Sequence, residues 1–329
     1  MKFCDLAELW LSGKQQEGLS YVYLKELSYA VDHLNDFLRE KQIDEIKPLD
    51  LDIVIKSLTK LNPNTTRPMS KKGLKDIRNT AKSIFDLAVE NELIIRNPAQ
   101  NRKIPKNAPK VSRRALTPEE QKLIMKTSHT RCRCAVLIMM LCGLRTGELL
   151  ALEWNDVDIG KEVIHVRQSV QRVDTNCYRI HTGTKNGKTR DIPIPKLLLS
   201  ELRLEKTQTS QKYVCAQLNG ELHTPSSWRS LWRSYYLSLN QTAQGSVSKY
   251  SPGGLPKIIS HITPHMLRHT YCTLLYKAGI DVLIAQYLMG HSSVKVTLEI
   301  YTHLDEEHRI KKINEFDRLL DDSFFVSRS

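Results

Sequence analysis

Between Asn101 and Arg114 the chain carries two prolines, six basic residues and no acid. Pro105 and Pro109 each lack a backbone donor and fix φ, so no helix can run through this stretch. The 329 residues are therefore expected to divide here, and the residue patterns on the two sides differ. Before the break every periodic segment is helical. Leu24, Leu27, Val31, Leu34 and Leu38 recur at spacings of three and four, which predicts one amphipathic helix over about 20–41. A shorter helix passes through Leu51, Val54, Ile55 and Leu58 and stops before Asn62-Pro63-Asn64, a loop signature. The helical region is expected to begin at once, around Phe3 to Trp10.

A third helix, over about 70–90, has two distinct sides. Leu74, Ile77, Ala81, Ile84, Phe85 and Ala88 form an apolar face, while Lys71, Lys75, Arg78 and Lys82 form a basic stripe that could follow a phosphate backbone. A solvated lysine-rich face would look the same. The adjoining Arg102, Lys103, Lys106 and Lys110 extend the positive charge into the proline-bearing stretch, which reads as an extended basic linker over 105–114. A helix then restarts with Thr117 as N-cap, Pro118 at its first position and Glu120 closing a capping box.

Beyond 115 the pattern mixes helices with short strands. Helices are expected over about 117–128, 131–142 and 147–152, followed by strands over about 162–168, 178–181 and 190–195, with Ile192 and Ile194 alternating in the last. Residues 240–260 read as a long loop, and helices follow near 264–278, 282–289 and 294–303. Ile310, Ile313, Phe316, Leu319 and Leu320 mark a final amphipathic tail helix over about 305–329. The expected fold class is mainly α: an N-terminal helical domain (1–104), then an α+β domain with a small antiparallel sheet (115–304).

Charge narrows the partners. Lys plus Arg is 49 against 36 Asp plus Glu, a formal +13, and the excess is spread along the chain. A polyanion such as nucleic acid is the first partner to consider, although a basic surface also serves solubility. At 40% hydrophobic the chain can bury a core in each domain. Its seven cysteines are odd in number and scattered, which argues against a disulfide framework or a zinc site. The longest apolar run, Ala135 to Cys142, is too short to span a bilayer. A soluble, cytoplasmic, nucleoid-associated protein with no membrane partner is the expectation.

Five polar segments could carry chemistry: Gly143 to Leu149, the turn Thr184 to Lys188, Pro264 to His269, Gly290-His291, and Ile300 to His303. His265 and Arg268 lie one turn apart on a helix and could grip one anion. His269, four after His265, raises a metal pair, but no acidic third ligand is close by in sequence, so metal binding is the weaker reading. Arg145 stands at a Gly-Leu-Arg junction, where it could face a ligand or simply pair with Glu148. Together, two arginines, a lysine, histidines and a tyrosine suit metal-free chemistry on a phosphodiester. Guanidinium forks can stabilise charge on the nonbridging oxygens, and a tyrosine held among cations can act as nucleophile.

The segments GLRTGEL, TKNGKTRDIPIP, TPHMLRHT and LMGHSSVKVTLEIYTHL occur in the order and at the distances of the motifs of tyrosine recombinases of the bacteriophage and conjugative-transposon integrase type, which they resemble. The resemblance covers about 113–304 by specific motifs and the first domain more loosely, by position and by the ending NELIIRNPAQN. It implies a site-specific DNA strand-exchange enzyme that needs no metal, ATP or other cofactor. Tyr301 would be the nucleophile, forming a 3′-phosphotyrosyl link. Arg145 and Arg268 would hold the scissile phosphate. Lys185, at the tip of a strand hairpin, would protonate the leaving 5′ oxygen, with Lys188 as its competitor. His265 and His291 would complete the pocket, and Glu148 would orient it.

The first domain would bind the core site on double-stranded DNA. Homodimers would form on each site and a homotetramer at synapsis, with an excisionase-like directionality factor as a further partner, and the tail would pack on a neighbouring subunit. Many such integrases carry an extra N-terminal module for arm sites, whereas here the core-binding helices are expected to start at once, around Phe3 to Trp10, in a chain either of the shorter kind or separated from that module. Two other functions fit the residues less well: a DNA-binding regulator with a degenerate catalytic domain, and a strand-nicking enzyme like a type IB topoisomerase. Tyr271, Tyr287, Trp154 and Ile164 are expected in structural roles.

Overall fold

The computed structural model describes residues 1–60, 67–110, 114–127, 130–183, 189–245 and 262–301, with side chains through Leu298. It separates into two compact units, Met1–Ser112 and Arg113–Ser329.

Among the described residues the first unit has four α-helices: α1 (Phe3–Gln16), α2 (Tyr21–Leu38), α3 (Pro48–Lys60) and α4 (Lys71–Glu90). Local chemistry sets their ends. The Ser20 hydroxyl accepts from the Tyr23 N–H at 3.3 Å and the Ser70 hydroxyl from the Gly73 N–H at 3.2 Å, each satisfying a donor that the first helical turn leaves open. On α4, Leu74, Ile77, Ala81, Ile84, Phe85 and Ala88 are all buried, as the periodicity predicts. They pack with Phe3, Leu34, Leu38 and Leu58 in one core, each large side chain contributing about 1.5–3 kcal/mol. Phe3 and Phe85 stack with ring centroids 5.7 Å apart.

The stretch expected to be a free linker is in part the last layer of this unit. Ala108 is buried in its core and Ile104 packs against it, and the Lys71 N–H donates to the Pro109 carbonyl at 2.7 Å. Proline excludes a helix here, but Pro109 still supplies an acceptor to the start of α4 and the small Ala108 is buried in the core. The division accordingly falls later than the expected start of a linker at 105.

The second unit contains α5 (Pro118–Lys126), α6 (Arg133–Leu141), α7 (Thr146–Ala151), five short strands, then α8 (Lys196–Gln208), α9 (Pro225–Thr242), α10 (Pro264–Lys277), α11 (Val282–Met289) and α12 (Val294–Tyr301). The capping box at α5 is formed as the sequence indicates: Thr117 Oγ1 accepts from the Glu120 N–H, and the Glu120 carboxylate accepts from the Thr117 N–H. Helix α6 is buried on every side from Cys134 to Met140, which makes it the centre of the unit. Trp154 and Ile164 lie in the same core.

The strands are β1 (Val157–Asp158), β2 (Val163–Val166), β3 (Gln168–Asp174), β4 (Cys177–Thr182) and β5 (Arg190–Pro193). They make two antiparallel sheets, β1-β2-β5 and β3-β4, where one small sheet is expected. Strand β3 escapes the sequence pattern because beyond Val170 it has exposed residues at Gln171 and Asp174 with two half-buried ones between, and so shows no strict alternation. Thr182 pairs with Gln168 and Arg190 with Val166, so β4 and β5 pair with consecutive parts of one run, 163–174; residues 184–188, where the tip of a strand hairpin is expected, lie outside the described residues. The seven cysteines are free thiols. Among the described residues no helix is long and apolar enough to cross a membrane.

Candidate active site and nucleic-acid groove

The end of α11 organises the candidate active site. Gly290 takes the left-handed conformation at φ +60° and ends the helix, leaving the last carbonyls without helical donors. Three arginines from three distant segments take these acceptors. Arg190 Nε donates to the Leu288 carbonyl at 2.9 Å, Arg268 Nη2 donates to that of Met289, and Arg145 Nη2 donates to that of Gly290 at 2.5 Å. The negative end of a helix favours such cations.

Glu148 holds two of these guanidinium groups from the other side. Its Oε1 accepts from Arg145 Nη1 at 2.7 Å and from Arg190 Nη1 at 3.0 Å. Its Oε2 accepts from Arg190 Nη2 at 2.7 Å and from the Arg145 backbone N–H at 2.9 Å. Four donors fill the sites that two carboxylate oxygens offer. Glu148 is 2% exposed, and such burial alone would favour the neutral acid. Hydrogen bonds from Arg190 and the charges of Arg190, Arg145 and Arg268 prevail and hold its pKa down at about 2. Arg268, 4% exposed, is brought down to about 9 by burial first and then by Arg145, and it remains charged at neutral pH. Its Nη1 donates to the Gly143 carbonyl, and Gly143, at φ +67°, leaves no room for a Cβ beside the Tyr271 ring.

One carboxylate thus faces three arginines among the described residues, an excess of positive charge that an anion would relieve. Arg145, with its side chain 27% exposed, is the one solvent can reach. His291 follows the same turn. Its Nδ1 lies 2.9 Å from Thr297 Oγ1 on α12, and Thr297 is fully buried. Burial, then the charges of Arg268, Arg145 and Arg190, press the imidazole down to about 4, so it is neutral at pH 7. His265, exposed at the start of α10, adds to that electrostatic pressure on His291.

The structure therefore brings together Arg145, Glu148, Arg268, His265 and His291. Tyr301 is the last residue of α12, four positions after Thr297, and its side chain lies outside the described residues. Lys185 and Lys188 also lie outside them. Tyr271 is buried and Tyr287 is half-exposed, its hydroxyl accepting from the Asp191 N–H at 3.2 Å. Sequence reasoning missed Arg190. It shares the inward face of β5 with Ile192, and a charged residue in register with buried isoleucines was the available signal.

In the first unit, Lys71, Lys75, Arg78, Arg102, Lys103 and Lys106 line one groove of about 850 Å³. Lys56 of α3 joins them. The Arg102 carbonyl accepts from Arg78 Nη1 at 3.2 Å, and Arg102 Nη1 donates to Asp52 at 3.2 Å, which fixes the 101–106 segment along α3 and α4. Lys82 stands outside the groove and pairs with Asp86 at 2.9 Å. Lys110 is exposed beyond it.

Comparison with known proteins places the chain in a family. The chain is 31% identical to the tyrosine recombinase XerA of Thermococcus kodakarensis over 67% of its own length and 66% of XerA's, so it spans about two thirds of that relative. It is 26% identical to the ICEBs1 integrase of Bacillus subtilis, with 97% of this chain and 84% of the relative covered. The integrase of transposon Tn1549, solved in complex with a circular intermediate DNA, superimposes with a TM-score of 0.75 at 21% identity, covering 96% of this chain and 99% of that one. This likeness shows a shared tyrosine recombinase fold. The profile of the phage integrase family matches residues 114–308, the stretch that contains every segment of the arginine cluster, and the chain belongs to that family.

Proposed function

We propose that this chain is a site-specific DNA recombinase that cuts and rejoins strands through a covalent 3′-phosphotyrosine. The observation that carries the reading is the convergence of Arg145, Arg190 and Arg268 on one helix end around a single carboxylate. The cluster is built with surplus positive charge, and a phosphodiester oxygen pair is the ligand that geometry and charge both suit.

The chemistry is an exchange of one phosphodiester for another. The Tyr301 hydroxyl oxygen attacks phosphorus, and the bond from phosphorus to the 5′ oxygen breaks. The leaving oxygen takes a proton from the Lys185 ammonium, Lys188 being the alternative donor, and the tyrosine proton passes to a neutral imidazole. His291 is suited to that last role, since burial first and then the neighbouring arginines keep it unprotonated at neutral pH. Arg145 and Arg268 stabilise the charge that builds on the nonbridging oxygens, Glu148 holds Arg145 in place, and His265 closes the mouth of the pocket. Attack by a new 5′ hydroxyl on the phosphotyrosine reverses every bond change, so no ATP is consumed.

The groove lined by Lys71, Lys75, Arg78, Arg102, Lys103 and Lys106 would receive the duplex, with Lys82 and Lys110 extending the contact. Each chain supplies one Tyr301, so exchange between two duplexes needs four chains: a homodimer on each core site and a homotetramer at synapsis. An excisionase-like factor would set direction, and the working location would be the nucleoid.

The test is a core-site duplex carrying a nick next to the cleavage point, so that the released fragment diffuses away. With EDTA present, a covalent adduct that Tyr301→Phe abolishes supports the reading, and joining of two different duplexes distinguishes recombination from relaxation by a topoisomerase. Binding with no adduct from the unaltered chain would leave only a DNA-binding regulator.

A further inference from the structure

The geometry points to Arg190 as a positioning residue that sets Arg145 and the Leu288–Gly290 turn in register for the scissile phosphate; this rests on the recombinase reading above. Nε and both Nη groups of Arg190 are already engaged by the protein, the first by the Leu288 carbonyl and the other two by Glu148, which suits this arginine to hold the pocket rather than the DNA. Its guanidinium spans the two supports of the pocket. Both Nη groups bind the two oxygens of Glu148, and Nε binds the Leu288 carbonyl. Glu148 in turn holds the Arg145 side chain and its backbone N–H, while the Leu288–Gly290 turn holds the other end of the same Arg145 through the Gly290 carbonyl. Arg145 is thus clamped at two points, and Arg190 ties those two points together.

Two further contacts show that the tie is built into the backbone. The Asp191 N–H, next in β5, donates to the Tyr287 hydroxyl at 3.2 Å, so β5 is fastened to α11 at successive residues. Gly290 carries no Cβ where one would lie 2.9 Å from Arg190 Nη1, so the guanidinium packs directly against the turn. A lysine could keep the charge, but its single ammonium cannot hold two carboxylate oxygens and a carbonyl in one plane.

The experiment compares the unaltered chain with Arg190→Lys and Arg190→Met on the nicked duplex. Single-turnover adduct formation is measured on a natural scissile phosphate and on an uncharged methylphosphonate at the same position. DNA binding is expected to be retained. Cleavage of the phosphate should fall about 100-fold in Arg190→Met, the scale expected when a reacting group is misplaced by about 1 Å, and less in Arg190→Lys. The deficit should shrink on the methylphosphonate, which has no anionic oxygen pair for Arg145 to grip. A merely structural role would lower both rates in parallel with the folded fraction. Equal deficits on the two substrates, or unimpaired cleavage by both variants, would overturn the inference. If Arg190→Met does not fold, Arg190→Lys alone decides between these outcomes. Absence of any adduct from the unaltered chain would instead sink the recombinase reading.

Discussion

Replacing Glu148 by glutamine removes one negative charge from among three arginines and changes little else in shape. Two independent routes give the size of the effect. The carboxyl ionises at about 2 in the folded chain against an ordinary 4.5, and each tenfold change in an ionisation constant corresponds to about 1.4 kcal/mol, so its charge contributes about 3 kcal/mol at pH 7. Removing one partner of a buried ion pair costs about 3–5 kcal/mol. A unit of this size loses about 2–3 kcal/mol of stability per molar urea, so the unfolding midpoint should drop by about 1 M. Tryptophan fluorescence reads the relevant unit, since Trp154, Trp228 and Trp232 lie in it and only Trp10 in the other. The pH dependence supplies the sign. A carboxylate whose folded pKa is depressed stabilises the fold fully above its unfolded value, near 4.5, and loses that contribution as pH falls toward 2. The gap between Glu148→Gln and the unaltered chain should therefore be widest at neutral pH and narrow to about half or less by pH 3. An unchanged midpoint at pH 7, or a gap indifferent to pH, would refute the claim that Glu148 is the shared counter-ion.

The same geometry makes other predictions. His291 has a folded pKa near 4, below the free value of about 6.5, so its contribution to stability is complete above the free value and is lost as pH falls through 4; His291→Asn should flatten the stability profile in that window, and an NMR titration midpoint near 6.5 would contradict it. Gly143→Ala combines a left-handed φ with a Cβ driven into the Tyr271 ring and should cost about 2–5 kcal/mol by strain and overpacking, read as a loss of urea midpoint. Neutralising Lys75 and Arg102 together by glutamine should weaken DNA binding at every sequence and reduce the slope of log affinity against log salt by about 2; an unchanged slope would remove the groove from the DNA interface.

Much of the local architecture was legible because it is set by residues close in sequence. Ser70 and Thr117 mark helix starts through their own hydroxyls, and the apolar face of α4 follows from spacing alone. Arg145, Arg268 and His291 could be named from motif order, although nothing local shows that their segments meet at one helix end. Arg190 shows where such reading stops. Its partners, Glu148 and Leu288, lie 42 and 98 residues away in sequence, and period-two alternation places it inward without saying what it meets. Ala108 is similar: two prolines and six basic residues describe an extended chain, and only the packed core reveals that this chain is the last layer of the first unit.

The most direct measurement of the central claim is a crystal structure of the chain on a nicked core-site duplex with vanadate in place of the scissile phosphate. The account predicts vanadium bonded to the Tyr301 oxygen and to the 5′ oxygen, with Arg145 and Arg268 each within hydrogen-bond distance of its equatorial oxygens. A vanadate bound without Tyr301, or one whose oxygens are met by neither guanidinium, would contradict it.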